Sequence, residues 1–446
     1  MRVVVCYDPA SFVVDQTVVD EKVIFKNITF QVFLAALVGV GSALIFADES
    51  WLVFPAPPAY EFITLLKTFF LAALKMLFAP MIFFSLIGGI ISIGNVVRLR
   101  RLGGVTVLYY LGTTSIAIML ALVAVFLIHP WTNYPPAPEL AQGPGPASMI
   151  NPGDDSIVRV ITQLLGMAFT NPFTALVELN ILGIVTNAIL IGMAIVLALP
   201  EDSPIYTVIE HVNKVIFRVL HWVIRILPIG IFAILFDFTL RLNVGDGQSE
   251  SVLTQLLQFG LVGVGMTLVH GLLVLPLIAW VFAGRSPIAL FTQISRPLIV
   301  AFSTSSSAAT LPVSMQACED DLKVSNSVAS FVLPLGATMN MDGTALFEAI
   351  AAIFLAYLFG VELTTVAMIT VFLMAMVASI GAPGMPSASM AGMQMVLLAV
   401  GIPLEAIAIL LVIERPLDTI RTAVNVEGDL VGALVVERFT RSPAQE

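Results

Sequence analysis

Long apolar segments alternate with short polar stretches along most of the chain. The first six lie at about 24–46, 62–97, 105–128, 158–199, 205–240 and 253–282. A helix needs about 20 apolar residues to cross a bilayer, so the pattern predicts an all-α polytopic membrane protein. Pro80 is a candidate kink in the second segment, and Asn171–Pro172 breaks the fourth.

The last third differs because small polar stretches interrupt its apolar segments. The interruptions are Ser303–Thr310, Asn340–Thr344 and Gly381–Ser389. Unwound backbone at membrane depth is tolerated where it is buried in protein or lines a cavity. The first and third stretches resemble tips of helical hairpins, each followed by a span with polar residues in its middle. This hairpin-plus-helix unit occurs twice, as expected of the internal repeats that surround a transporter binding site.

The most polar of the apolar segments is Glu414–Asp429. Counting from Asp418, the residues at +3, +4, +7 and +11 are Arg421, Thr422, Asn425 and Asp429. On an α-helix these offsets share one face. Charges at bilayer depth cost at least about 2.5–3.5 kcal/mol each on insertion scales. The stripe therefore predicts a site for a polar solute, whereas a surface helix with one wet face is the alternative.

Composition supports a membrane protein and excludes other classes. The chain is 58% hydrophobic and 11% charged, with mean hydropathy +0.99, against about 25% charged residues in soluble domains. Two distant cysteines indicate no disulfide framework. The acidic N-terminal stretch does not resemble a cleaved signal peptide, and no nucleic-acid signature is present.

The distribution of basic residues predicts an orientation. Cations occupy the short loops at Arg98–Arg101 and Arg285 and the start of the segment 205–240, at Lys214 and Arg218, whereas 129–156 contains no Lys or Arg. By the positive-inside rule these basic positions lie on the cytoplasmic side. We expect a multi-pass protein of the plasma membrane with both termini in the cytoplasm.

Each polar interruption has a functional and a structural interpretation. Free N–H groups and hydroxyls at Thr304–Ser307 suit a carboxylate, unless the stretch is a loop outside the membrane. Gly381–Ser389 could move as a gate or be a simple turn. Asn340–Thr344 offers oxygen ligands for a hard cation such as Na⁺, or only a helix break with a structural hydrogen bond.

Glu348 follows within an apolar helix. Burial without a cation partner favours the neutral form of a carboxyl group, which makes Glu348 a candidate proton carrier; the alternative is a side chain turned to Arg421 or to a lumen. Tyr110, Thr113 and Thr114 share a face of the third span, where hydroxyls commonly bond to their own helix.

Two other protein classes fit the sequence less well. Neither G-x-S-x-G nor H-E-x-x-H occurs, and His129, His211, His221 and His270 lie far from the polar tips in sequence. A membrane hydrolase, and an enzyme in general, is therefore not expected. An ion channel is the other-class alternative, but it would place polar residues along uninterrupted spans.

Several motifs together resemble the glutamate/aspartate:cation symporter family, which includes the excitatory amino-acid transporters. The four strongest are TSSSAATLP (304–312), LPLGATMNMDGTALFEA (333–349), SIGAPGMP (379–386) and LDTIRTAVNVEGD (417–429). KMLFAPMIFFSLIGGI (75–90), YYLGTT (109–114) and NPFTALVELNILGI (171–184) also fit. The resemblance covers nearly the whole chain.

The resemblance implies an elevator-type homotrimer with eight transmembrane helices, two re-entrant helical hairpins and inverted repeats. A static scaffold would comprise 24–97 and 157–241, and a mobile transport domain 105–131 and 250–436. Residues 1–23 and 437–446 would be cytoplasmic. Coupling ions would be the only cofactors, and the expected partners are an acidic amino acid, the lipid bilayer and further copies of the chain.

The resemblance also implies roles for single residues. Asp418 would bind the substrate ammonium and Arg421 its side-chain carboxylate, which suits a planar fork of donors. The rest of the substrate pocket would be Ser306, Ser307, Thr344, Met385, Thr422 and Asn425.

Three sodium sites follow from the same resemblance. The first would use Gly336, Asn340, Asn425 and Asp429. The second would use the backbone at Thr338, Ser379, Ile380 and Ala382. The third would use Tyr110, Thr113, Thr114, Asn340 and Asp342.

Individual residues separate branches of the family. Dicarboxylate carriers lack the aspartate at 418, neutral amino-acid carriers lack the arginine at 421, and proton-only glutamate carriers have Asn at position 429. Glu348 matches the proton-carrying glutamate of the vertebrate branch. We therefore expect sodium-coupled uptake of aspartate or glutamate with proton cotransport, and leave potassium countertransport open. A proton-coupled glutamate or dicarboxylate symporter of the same family is the alternative.

The chain departs from the family pattern at a few positions. The family's second arginine is absent, since the corresponding residues are Ser305 and Thr419, and Arg415 could replace it. Ser389 replaces a usual glycine, and Pro416 lies inside the last helix.

Overall fold

The computed structural model describes residues 28–53, 55–98, 100–136, 162, 165–200, 203–244, 249–361, 363–381, 389–399, 401–402 and 406–440. Over these residues the protein is helical and contains no strand, which confirms the all-α prediction. The helices of the first half are α1 (Ile28–Phe46), α2 (Pro58–Arg98), α3 (Arg100–Leu127), α4 (Pro172–Val177), α5 (Ile181–Ala198), α6 (Pro204–Arg225) and α7 (Leu227–Val244).

The second half contains shorter helices that meet at polar breaks. They are α8 (Ser249–Val269), α9 (Leu275–Ala283), α10 (Pro287–Thr304), α11 (Ser307–Asp320), α12 (Asn326–Met339), α13 (Asp342–Leu358), α14 (Thr365–Gly381), α15 (Ser389–Ala399) and α16 (Ile407–Thr440). A π-helical turn, His270–Val274, joins α8 to α9.

The predicted hairpin and helix break have local causes. Ser286 caps α10 by accepting a hydrogen bond from the Ala289 N–H, with Pro287 in the first turn. The chain reverses at Ser305, which has a left-handed φ of 50°, and Ser306 then caps α11. The two arms, α10 and α11, pack against each other. The Asn340-Met341 break separates α12 from α13, as predicted.

The second predicted hairpin is also a pair of packed helices, α14 and α15. Most of its polar stretch, 382–388, lies outside the described residues. Each pair of arms is followed by helices that carry buried polar residues, α12–α13 in one case and α16 in the other. The described helices therefore follow the predicted order, while the turn of the second hairpin stays a prediction.

One predicted segment needs correction. The sequence suggested a single apolar segment at 205–240, but the structure divides it into α6 and α7, which meet at a bend of 52°. Pro228 lies two residues after the bend at Ile226. Proline lacks an N–H donor, and its ring clashes with the carbonyl four residues earlier, which interrupts a helix at this position.

Several helices suit a membrane by length and composition. The stretches 102–133, 254–283 and 326–358 each qualify as crossing helices within the described residues, and the bent pair 204–223 and 227–241 is a fourth candidate. Shorter apolar helices occupy 30–46, 79–91, 182–198 and 367–380. The count of eight crossings stays a prediction.

The helices pack in two groups. In one group α2 packs against α5, α6 and α7, and α1 packs against α7. In the other, α16 lies centrally against α3, α8 and both arms of the first hairpin, while α3 also packs on α13. The buried polar residues described below concentrate in the second group.

A charged cluster joins α2 to α7 in the first group. The buried Asp237 accepts hydrogen bonds from Tyr60, from Lys67 at 2.6 Å and from Arg241 at 3.1 Å. Both cations are about one-third exposed. Loss of one partner of a buried ion pair leaves an uncompensated charge, so Asp237 holds together two cations that would otherwise repel each other across this helix contact.

Candidate functional site

The polar stripe of α16 is buried along its length. Asp418, Arg421, Thr422, Asn425 and Asp429 are each at most 6% exposed. Pro416 does not end the helix, which continues from Ile407 to Thr440. The predicted common face is confirmed, and it points into protein, so the alternative of a wet surface helix is wrong.

Arg421 shares one nitrogen among three partners. Its Nη2 donates to Glu414 Oε1, Asp418 Oδ1 and Ser389 Oγ, each at 3.1 Å. The guanidinium carbon lies 4.1 Å from the centre of the Phe347 ring, which favours a cation over its face. Nε and Nη1 are buried and make no hydrogen bond within the described residues. Buried donors are normally hydrogen-bonded, so these two nitrogens can bind an additional acceptor.

Three of these contacts were not assigned as site residues from the sequence. Glu414 had a detectable signal, because it lies four residues before Asp418 on the same helical face. Phe347 comes from α13, and Ser389, noted only as a departure from the family pattern, comes from α15. Only the tertiary structure brings them to Arg421.

The start of α13, just after the break that follows α12, contacts the polar face of α16 at Asn425. The Gly343 N–H donates to Asn425 Oδ1 at 2.8 Å, and Asn425 Nδ2 donates to Thr344 Oγ1 at 3.3 Å. A Cβ on Gly343 would lie 2.9 Å from the Arg421 carbonyl oxygen, so this close approach requires glycine. Thr344 and Asn425 are brought together as expected, next to Arg421 and Thr422 along α16.

The first hairpin presents its serine tip to the same group of helices. Ser306 and Ser307 are buried, and both hairpin arms pack on α16. Ser306 Oγ accepts from the Ala309 N–H at 3.1 Å. Met385, expected from the opposite hairpin, lies outside the described residues.

The residues of the first predicted sodium site converge. Asn340 Nδ2 donates to Asp429 Oδ1 at 3.0 Å and to the Asn425 carbonyl at 3.3 Å. A Cβ on Gly336 would overlap the Asp429 carboxylate and lie 2.5 Å from Tyr110 Oη. Gly336 therefore leaves the space in which two oxygen-bearing side chains approach the backbone.

The residues of the third predicted site also come together. Asp342 Oδ1 accepts from Thr114 Oγ1 at 2.6 Å and from Thr113 Oγ1 at 3.4 Å. Thr113 Oγ1 lies 3.5 Å from Asn340 Oδ1, and the Tyr110 hydroxyl donates to the Val332 carbonyl at 2.8 Å. The Thr113 and Thr114 hydroxyls thus reach a carboxylate on another helix, and are not limited to bonds within α3.

His270 is a residue of this region that the sequence analysis missed. Its Nε2 lies 3.1 Å from Asp342 Oδ2, with both side chains fully buried. His270 opens the π-helical turn, and such turns are frequent at functional sites. The two residues are 72 positions apart along the chain, so no sequence pattern indicated this contact, which gives Asp342 partners on both α3 and the π-helical turn.

The second predicted site is only partly described. Ser379 and Ile380 end the first arm of the second hairpin, and Thr338 is near the end of α12, which packs against that arm. The hydroxyls of Thr338 and Ser379 bond to carbonyls of their own helices. Ala382 lies outside the described residues.

Glu348 of α13 is fully buried where α13 packs against α15. Neither carboxyl oxygen makes a hydrogen bond within the described chain. A Cβ on Gly392 of α15 would overlap Glu348 Oε1, so this carboxyl packs directly against the backbone of the second hairpin. The ion pairs of Arg421 go to Glu414 and Asp418, so Glu348 and Arg421 form no ion pair within the described residues.

Two further ionisable residues of α16 are buried. Arg415 is 7% exposed, and its Nε makes no hydrogen bond within the described chain. Glu427 is 3% exposed, with its Oε1 likewise unpartnered. The hypothesis that Arg415 replaces a second arginine stays a prediction.

Acidic groups outnumber basic ones in this buried region. The charged residues buried around α16 are two arginines, Arg415 and Arg421, and six carboxyls, Asp342, Glu348, Glu414, Asp418, Glu427 and Asp429. Within the described residues no three His, Cys, Asp or Glu side chains form a metal cluster. The acidic excess, combined with hydroxyl, amide and carbonyl oxygens, suits hard monovalent cations.

Comparison with known proteins identifies the family. The family model described as "Sodium:dicarboxylate symporter family" matches residues 28–439. The chain is 31% identical over 419 residues to excitatory amino acid transporter 2 of Homo sapiens, covering 83% of this chain and 72% of that protein. It is 30% identical over 408 residues to an excitatory amino acid transporter of Caenorhabditis elegans, covering 83% and 80%.

A third relative has a different named substrate. Neutral amino acid transporter B(0) of Oryctolagus cuniculus is 30% identical over 429 residues, covering 91% of this chain and 77% of that protein. The relatives are transporters and not enzymes, and sodium is the coupling ion that the family name implies. The chain therefore belongs to the sodium:dicarboxylate symporter family, as a sodium-dependent amino-acid transporter of the membrane.

Proposed function

We propose that the protein takes up acidic amino acids, aspartate or glutamate, together with sodium. The observation that carries this proposal is the buried Arg421, with two unpaired donors, on the same helical face as Asp418. An arginine fork binds a carboxylate with two parallel hydrogen bonds. A neutral amino acid would leave those donors buried without a partner, at a cost of about 1–3 kcal/mol for each unsatisfied group.

The remaining substrate groups have candidate partners around this pair. Asp418 Oδ1 accepts a hydrogen bond from Arg421, and its carboxylate suits the substrate ammonium. The buried tip serines, Ser306 and Ser307, suit the α-carboxylate at the N-terminal end of α11, where backbone N–H groups and the helix dipole favour an anion. We assign Met385 to the same carboxylate, and Thr344, Thr422 and Asn425 to the pocket wall.

Sodium binding is proposed at the three residue sets named above. The first set meets at Asp429 and the third at Asp342, and Asn340 contributes to both. The second would use backbone oxygens at Thr338, Ser379, Ile380 and Ala382. The excess of buried carboxyls supports net binding of cations, because unpaired charges are costly in a low-dielectric interior.

Movement of the second helix group as one body would carry this site across the membrane. Helices α3 and α8 to α16 pack together around the site, in agreement with an elevator that slides against a scaffold of α1, α2 and α4 to α7. Trimer assembly through the scaffold, eight crossings and cytoplasmic termini belong to the same proposal.

Uptake of labelled aspartate into proteoliposomes tests the function. We expect uptake with an inward sodium gradient, and none when choline replaces external sodium. Gradients of protons and potassium are then imposed separately, which distinguishes a proton-driven symporter of the same family. Sodium-independent uptake would contradict the proposal, and a large ionic current without substrate would indicate a channel.

Proton cotransport is proposed to depend on Glu348. Replacing Glu348 with Gln keeps the size and burial of the side chain but removes its ionisable group. We expect wild-type uptake to accelerate with an inward proton gradient, and Glu348→Gln to transport at a rate that no longer depends on that gradient. The exposed Glu178→Gln is the control and should retain the dependence. A proton effect that persists in Glu348→Gln would assign the proton to another group.

A further inference from the structure

Helix α6 presents two different stripes on its outer surface. Its inner face, with Ile209, Leu220 and Val223 buried, packs against α2. On the outside, Val208, Val215 and Trp222 are 51%, 64% and 57% exposed. Their spacing of seven residues places them in one line along the helix.

A basic stripe runs beside this apolar line. His211, Arg218 and Arg225 each follow a member of the apolar line by three residues, and Lys214 and His221 lie further around the same side. All five are exposed. The helix therefore has a buried side, an exposed apolar line and an exposed basic stripe, which is the arrangement of an interfacial amphipathic helix.

Two arginines of the basic stripe have no carboxylate partner within the described residues. Lys214 pairs with Glu210 at 2.5 Å, both well exposed. In the described part of the chain, Arg218 and Arg225 form no pair with a carboxylate. With Lys214, Arg218 and Arg225 against Glu210 alone, α6 carries a formal charge of +2 in a chain whose net charge is −10.

We infer that α6 lies in the interface of the cytoplasmic leaflet and that Arg218 and Arg225 bind the headgroups of anionic phospholipids. The 52° bend turns α6 away from α7, whose 18 residues extend about 27 Å and supply most of a crossing. The apolar line then contacts acyl chains while the arginines reach the headgroups. Cytoplasmic leaflets carry the anionic lipids that attract such cations. This inference goes beyond substrate transport and concerns only the lipid around the proposed scaffold.

Quenching of Trp222 fluorescence by brominated lipids tests the inference in the full-length protein. The quenchers are brominated phosphatidylglycerol, which is anionic, and brominated phosphatidylcholine, which is zwitterionic. Trp222→Phe gives the background from the other tryptophans. We expect phosphatidylglycerol to be preferred, and the preference to fall roughly fivefold for each cation removed, or about 25-fold in Arg218→Gln/Arg225→Gln.

A second double variant separates local from general charge effects. Lys323→Gln/Arg438→Gln also removes two exposed cations, from outside α6, and should keep the preference at Trp222. Added salt should weaken the wild-type preference. Equal quenching by both lipids, or a preference retained in Arg218→Gln/Arg225→Gln, would overturn the inference. Absence of quenching by either lipid would also overturn it, because Trp222 would then be covered by a second copy of the chain.

Discussion

Arg421→Gln is expected to lower the apparent affinity for aspartate and glutamate at least a hundredfold in sodium-driven uptake. The variant removes the two donors that we assign to the substrate side-chain carboxylate. Hydrogen bonds to charged groups contribute about 1.5–3 kcal/mol each, so two of them amount to about 3 kcal/mol or more. Each 1.4 kcal/mol changes affinity about tenfold. Concentration dependence of labelled uptake measures the effect.

The control variant must keep a cation near Glu414 and Asp418, which would otherwise be buried without a positive partner. Arg421→Lys does so, and should fold as judged by size-exclusion chromatography and thermal unfolding. Because lysine is a point charge without a planar fork, affinity for acidic substrates should still fall. Uptake of a neutral amino acid should be spared relative to aspartate, and a parallel loss of both would contradict the assignment.

Arg415→Ala in this assay tests the second-arginine hypothesis, which fails if affinity is unchanged.

Gly336→Ala is expected to raise the sodium concentration required for half-maximal uptake by at least tenfold, or to abolish uptake. In an ordinary helix this change would add roughly 0.5–1 kcal/mol of stability. Here the added methyl group would overlap the Asp429 carboxylate and crowd the Tyr110 hydroxyl. The proposed ligands would have to move apart, and oxygen ligands for a cation tolerate only small displacements.

Gly263→Ala is a matched control for this change. Gly263 is also within a helix, α8, and a Cβ there would meet nothing within 4 Å. Its sodium dependence should match that of the wild-type protein. Thermal unfolding of both variants separates a lost ion site from a lost fold. A sodium dependence unchanged in Gly336→Ala would show that the space beside Asp429 is not part of a cation site.

Periodicity predicted the parts of the site that lie on one helix. The offsets from Asp418 to Asp429 fix a common face whatever surrounds it, and the apolar flanks require that face to be buried. The polar breaks at Ser305 and Asn340 were also visible, because small capping residues between apolar segments end and restart helices. These signals are local, so the sequence alone sufficed.

Contacts between distant elements were outside the reach of such patterns. His270 meets Asp342 and Phe347 lies under Arg421 because of how α8, α13 and α16 pack. The division of 205–240 into two helices was missed because the hydrophobic run continues through Ile226. Pro228 was the one local signal of a helix break in this run. Continuous hydrophobicity reports burial in lipid or protein but not the direction of the helix axis.

The surplus of carboxyls around α16 has a thermodynamic consequence. An acidic amino acid adds a further net negative charge to a region where six carboxyls already face two arginines. At the proposed site, substrate and cations would therefore favour each other's binding, with a coupling free energy shared between them. Linkage makes this reciprocal: the factor by which bound sodium tightens aspartate binding equals the factor by which aspartate tightens sodium binding. In the proposed site, substrate bound without cations would then be penalised by uncompensated charge.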